Sequence, residues 1–140
     1  MTAADAARTS IISHAPGTVS APVGGYSHGI EVPAGARLLF VSGQIPERPD
    51  GTVPEGFEAQ CEAAWRNVLA VLAAAGMGPA NLVKVTTFLT HADQVDANSR
   101  IRRRMIGDAR PALTVMIAQT LQPEWLLEIE AVAAAGSPSS

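Results

Sequence analysis

Two stretches with helical spacing of apolar residues, 57–75 and 93–106, alternate with short aliphatic and β-branched runs, and this alternation limits the folds open to the chain. In the first stretch Phe57, Cys61, Ala64, Trp65, Val68, Leu69 and Leu72 fall on one side of a helix. Glu55 and Glu58 suit its first turn and Gly76 its stop. The second stretch ends at Gly107. Strand-like runs occupy 27–32 ("SHGIEV"), 38–45 ("LLFVSGQI"), 81–90 ("NLVKVTTFLT"), 113–119 and 126–133. The order β-β-α-β-α-β-β predicts an α+β subunit with one mixed sheet and both helices on one face. The "PAGAR" turn predicts a hairpin between 27–32 and 38–45, with the second strand buried on both sides because its apolar run is continuous.

A sheet covered on one face leaves the other bare. With 47% apolar and only 16% charged residues, that face is expected to pack against another subunit. At 140 residues the chain has the length of one domain, expected over 21–135. Residues 1–20 read as a loose N-terminal arm with a short strand near 10–13, and 136–140 ("GSPSS") as a disordered tail. The net charge of −3 disfavours a nucleic-acid partner, although five of the ten basic residues lie between Arg100 and Arg110. The lone Cys61 excludes an intramolecular disulfide and a cysteine-based zinc site. No apolar run reaches the roughly 18 residues of a membrane span, and no signal pattern opens the chain. A cytoplasmic protein without a membrane partner is expected.

Several residues are candidates for chemistry. In "LLEIEAVA", Glu128 and Glu130 share one strand face, with Leu127, Ile129 and Ala131 on the other. One of the two carboxylates either works as a general acid or base or pairs with an arginine at a solvated or intersubunit position. Asn98 falls in the apolar stripe of the second helix and must either bridge to nearby backbone or line a polar pocket. Arg100, Arg103 and Arg104 point away from that stripe, whereas Arg102 falls inside it and is expected to snorkel outward. Arg110, at the mouth of the 113–119 strand, is either the anchor for an anionic substrate or a solvated loop end. Tyr26, following "GG", stands over a cleft or on the surface. His14, His28 and His91 have no metal-ligand spacing, so no metal is expected, and Cys61 reads as core filler.

Taken together, "APVGGYSHGI", "LLFVSGQIP", "NLVKVTTFLT" and "LLEIEAVA" resemble the Rid (YjgF-type, reactive-intermediate deaminase) family across about four-fifths of the chain, 22–133. The resemblance implies a chorismate-mutase-like α+β subunit that forms a homotrimer with clefts between subunits. It implies hydrolysis of small 2-imino acids and their enamine tautomers to keto acids and ammonia, without a cofactor. On this match Tyr26 is the cleft tyrosine, Ser42 and Gly43 supply cleft backbone, and Asn98 is the helix asparagine. Glu128 is the residue that orients the attacking water. The family arginine that grips the substrate carboxylate belongs to a "PARS" motif. Counting back without gaps from "EIEA", its position is held here by Leu113, with Thr114 at the serine. Arg110 lies three residues early and could only fold back over the cleft. His28 stands where the family has glutamine and would bring a group that titrates near neutrality.

Three functions stay open at this point. One is an imine or enamine hydrolase, using Glu128 with Tyr26, His28, Ser42, Gly43, Asn98 and Arg110 around a small-molecule substrate. Another is a trimeric protein that binds a small metabolite without turning it over, or hydrolyses another small nitrogenous compound. The third, a ribonuclease, has only the arginine cluster in its favour and no interleaved aromatics to stack bases.

Overall fold

In the computed structural model, which describes residues 11–136, four strands form one mixed sheet. A short strand β1 (Ile12–His14) pairs antiparallel with β2 (Gly29–Glu31), apart from the main sheet. The main sheet contains β3 (Arg37–Gln44), β4 (Leu82–Leu89), β5 (Ala112–Ile117) and β6 (Leu127–Ala135), in the spatial order β3-β6-β4-β5. Its two helices are α1 (Phe57–Ala74) and α2 (Val95–Ile106). β6 runs antiparallel to both β3 and β4, and β5 runs parallel to β4. A parallel neighbour needs a crossover, and α2 supplies it.

The hairpin expected between 27–32 and 38–45 does not form. β2 pairs with β1, and β3 pairs with β6, whose nine residues offer a far longer ladder than the three of β2. The Ala36 N–H donates to the Pro33 carbonyl at 3.3 Å in a turn that passes the chain from the small sheet to the edge of the large one. Nor is β3 buried on both sides. As an edge strand it buries Val41 but leaves Leu38 53% and Phe40 72% exposed. Its continuous apolar run therefore marks a surface the single chain leaves open. Of the N-terminal arm, residues 1–10 lie outside the described residues, as does 137–140 of the tail. The strand expected near 10–13 is found at Ile12–His14.

Cys61, Ala64, Trp65, Val68 and Leu72 of α1 are all buried and pack against Val85, Leu89, Leu127 and Ile129 of the sheet. Each large aliphatic or aromatic side chain removed from water contributes about 1.5–3 kcal/mol. At the end of α1 the Gly76 N–H donates to Ala73 O at 3.0 Å and the Met77 N–H to Leu72 O at 2.9 Å, closing the free carbonyls of the last turn. Along their outer flank α1 and α2 are tied by the ion pairs Glu58–Arg100 and Glu62–Arg104.

Among the described residues the opposite sheet face has no helix. Cross-strand pairs Phe88–Glu128 and Thr86–Glu130 lie there, beside Thr114, Met116 and Phe40. Among the described residues no helix is long and apolar enough to cross a membrane.

Candidate functional site

The sequence candidates gather in two places. On the open sheet face, β3 and β6 are in register at Val41–Ala131 and again at Gln44–Ile129, so one extra residue is accommodated between them. That bulge contains Ser42 and Gly43. Bulges bend the strand and re-aim the backbone beside them. The Glu128 carboxyl lies directly over Gly43: a Cβ placed there would sit 2.8 Å from its carboxyl carbon and Oε1. Only glycine permits this approach. Glu128 is half-buried, and among the described residues its carboxylate makes no hydrogen bond or ion pair. The expected alternative, pairing with an arginine, is not met among the described residues. Ser42 and Gly43 are exposed, so bulge and carboxylate form a ledge open to solvent.

The second place is a cavity of about 270 Å³ beyond the β5 edge, lined by Tyr26, Asn98, Ser99, Arg102, Leu113 and Val115 among others. Asn98 is 1% exposed, and its Nδ2 has no hydrogen-bond partner among the described residues. Its Oδ1 accepts only a weak contact from Cys61 Sγ at 4.0 Å. Among the described residues Asn98 thus bridges to no backbone, and it lines the cavity. Arg102 departs from expectation. It does not snorkel outward but is 3% exposed, its Nη2 donating to the Gly24 carbonyl at 2.8 Å. That carbonyl is available because Gly24 and Gly25 both hold positive φ, 100° and 77°, in a tight turn. Burial lowers the Arg102 pKa, and the neighbouring Arg103 and Arg110 charges push the same way. No carboxylate pairs with it among the described residues.

The remaining candidates lie near the cavity rather than in it. Arg110 is exposed and donates from Nη1 to the carbonyls of Gly107 (3.1 Å) and Ala109 (3.0 Å). It borders a different depression with Ser27 and Asp108. His28 stacks edge-on to Tyr26 at 5.8 Å and contacts the Ser20 carbonyl. Cys61 is fully buried, and burial pushes its thiol up to about 12. The arginine cluster is dispersed: Arg100 and Arg104 are paired to glutamates and Arg102 is internal. Among the described residues no group of three His, Cys, Asp or Glu side chains is placed to hold a metal ion.

Two residues absent from the sequence reading hold the ledge in place. Gln60 is buried on α1. Its Nε2 donates to the carbonyls of Pro54 (3.0 Å) and Glu124 (2.9 Å), and its Oε1 accepts from Leu126 N–H (2.8 Å). Two helical turns on, Asn67 Nδ2 donates to Ile45 O (3.0 Å) and Glu47 O (2.9 Å). The first carboxamide fixes the entry to β6 and the second the exit from β3. A polar residue on a helix carries no sequence mark for such a role; its signal is a long-range partner.

A mixed sheet with two helices on one face, a carboxylate ledge on the bare face and a polar cavity at one edge defines the class, an α+β subunit. The chain belongs to the Endoribonuclease L-PSP family, the Rid/YjgF group, whose model matches residues 17–135. A RutC family protein of Aquifex aeolicus is 36% identical over 115 residues, covering 80% of this chain and 90% of that one. Among solved structures, the Rid-family protein YyfB of Yersinia pestis superposes with a TM-score of 0.79 at 28% identity, covering 89% of this chain and 98% of its own. TdcF of Escherichia coli, solved with bound serine, gives 0.67 at 28% identity, with 83% and 91% covered.

Proposed function

We propose that this protein hydrolyses small reactive imines and enamines, 2-imino acids among them, to keto compounds and ammonia in clefts shared between the subunits of a homotrimer. The observation that carries this reading is the Glu128 carboxylate held unpaired over the Gly43 backbone. A carboxylate free of partners can accept a proton from water as the water oxygen bonds to the imine carbon. It can return that proton to nitrogen to give a carbinolamine, then take the hydroxyl proton and pass it to nitrogen as the C–N bond breaks, so that the carbonyl forms and ammonia leaves. The backbone of the bulge at Ser42 and Gly43 lines the same ledge.

The ledge and the cavity lie toward opposite edges of one sheet, with β4 between them. A cleft that uses both therefore draws the ledge from one copy and Tyr26 and Asn98 from the next. The exposed apolar positions Leu38, Phe40 and Met116 support an oligomer of this kind. TdcF, 28% identical to this chain, is provisionally named a reactive intermediate deaminase, which supports the same reaction class. His28 lies against Tyr26 and belongs to the same rim in this reading; Arg110 stands outside it, beside Gly25.

The second reading, a small-metabolite-binding trimer without turnover, draws on one observation: Leu113 occupies the arginine position of the family pattern and lines the cavity. The internal pairing of Arg100 and Arg104 argues against an RNA surface. The test is ammonia release from an imino acid generated in place by an amino-acid oxidase. Wild type accelerates it, while Glu128→Gln and Asn98→Leu chains do not, and mixed oligomers of the two regain activity. A wild-type rate equal to the uncatalysed control would leave the binding reading.

A further inference from the structure

The geometry points to Arg102 as the carboxylate anchor of this chain, a helix-borne cation serving the cavity where the family motif has a strand-borne one. This inference rests on the reading of the cleft given above and names the residue that selects for an acidic substrate within it.

Arg102 and Leu113 line the same cavity, one from α2 and one from β5. The cation missing from the strand is thus replaced, within the same small space, by one on the helix. A buried guanidinium keeps its proton, so it stays charged whatever surrounds it. An ion in that position is stable only with a counter-charge or several hydrogen-bond acceptors. Arg102 has one acceptor, the Gly24 carbonyl, and no carboxylate partner among the described residues. The charges of Arg103 and Arg110, which bear on it, have its own sign.

The other polar groups of the cavity are complementary to an anion. Asn98 Nδ2 is a buried donor without an acceptor. Tyr26 and Ser99 add hydroxyl groups, and no Asp or Glu lines the space. Leu113 and Val115 line it from β5, with Val23 and Val95 at its exposed rim. The Gly24 carbonyl takes one N–H of the guanidinium, and among the described residues its other N–H groups have no acceptor. A ligand with one carboxylate satisfies Arg102 and Asn98 at once.

The test is calorimetric titration of 2-oxobutanoate, a small keto-acid product, into the intact protein. Arg102→Met weakens binding about ten- to a hundredfold, while Arg110→Ala changes it by less than about twofold, as befits an exposed charge. The double variant Arg102→Met, Leu113→Arg recovers binding, because the cation returns from the strand. Arg102→Met melts no lower than wild type, since an uncompensated internal charge is removed. Should it fail to fold, Asn98→Asp gives the same information: a built-in carboxylate displaces the keto acid and raises the melting temperature. Unchanged binding in the Arg102 variant, loss in the Arg110 variant instead, or no binding to wild type at millimolar ligand would each overturn the assignment. Imine hydrolysis measured in parallel separates the two claims. No acceleration with Arg102-dependent binding removes the hydrolase and keeps the anchor. Acceleration that survives Arg102→Met does the reverse.

Discussion

The cavity at the β5 edge and the ledge on β3 and β6 are built by opposite means. The cavity is made of buried groups, Asn98 and Arg102, fixed by packing within one chain. The ledge is made of exposed backbone at a bulge, with a half-buried carboxylate over it. A pocket of buried donors is preorganised before any ligand or partner arrives. An edge ledge gains its dry surroundings only when something covers it, and a carboxylate works best as a base where water is limited. The chain thus carries one half closed by its own packing and one half left open to solvent.

Mutations can set these halves against each other. The largest effect is expected from Glu128→Gln, which removes the base and lowers kcat/KM about 10²–10⁴-fold while keto-acid binding and melting temperature stay at wild-type values. If binding fell with activity, the division of labour would be wrong. Phe40→Asp places a charge on the exposed apolar edge and weakens subunit association about a hundredfold. Sedimentation would show dissociated, folded subunits that have lost catalysis. Gly43→Ala forces the Glu128 carboxyl off its seat, because the added Cβ meets it at 2.8 Å. The far end of that side chain can swing away, so stability holds and the rate drops about tenfold.

The smallest effect belongs to Cys61. Native protein resists alkylation over hours, since the thiolate is the reactive form and burial holds the thiol up to about 12. Its contribution to stability is present below about pH 9, where an unfolded thiol begins to ionise. The contribution is lost as pH rises toward 12, because only the unfolded state then releases its proton. Alkaline melting curves check the sign.

The helices and their glycine stops were legible because periodicity and stop signals are local properties of the chain, although Glu55, expected in the first turn of α1, lies before its N-cap Gly56 and only Glu58 falls in that turn. The strands were legible too, but not their partners. The pairing of β2 with β1 and of β3 with β6 depends on a competition between ladders far apart in sequence. The fate of Arg102 was hidden for a related reason. Helical spacing put it in the apolar stripe, and the usual solution for a long cation there is to reach solvent. What overrides this is a carbonyl presented by Gly24, 78 residues away. Asn98 was foreseen as needing partners, and the finding is that the described residues supply none for its Nδ2. Glu128 and Gly43 were singled out by resemblance, yet their contact comes from a bulge that no spacing rule announces.

Gln60 and Asn67 deserve a last consequence. Both segments flanking the ledge hang from a single rigid rod by carboxamide pegs. The loops at 48–53 and 119–123 lie outside those attachment points, so insertions or deletions there leave the pegs and the ledge where they are. Such an arrangement lets a lineage remodel those two loops while the approach of the Glu128 carboxyl to Gly43 stays constant.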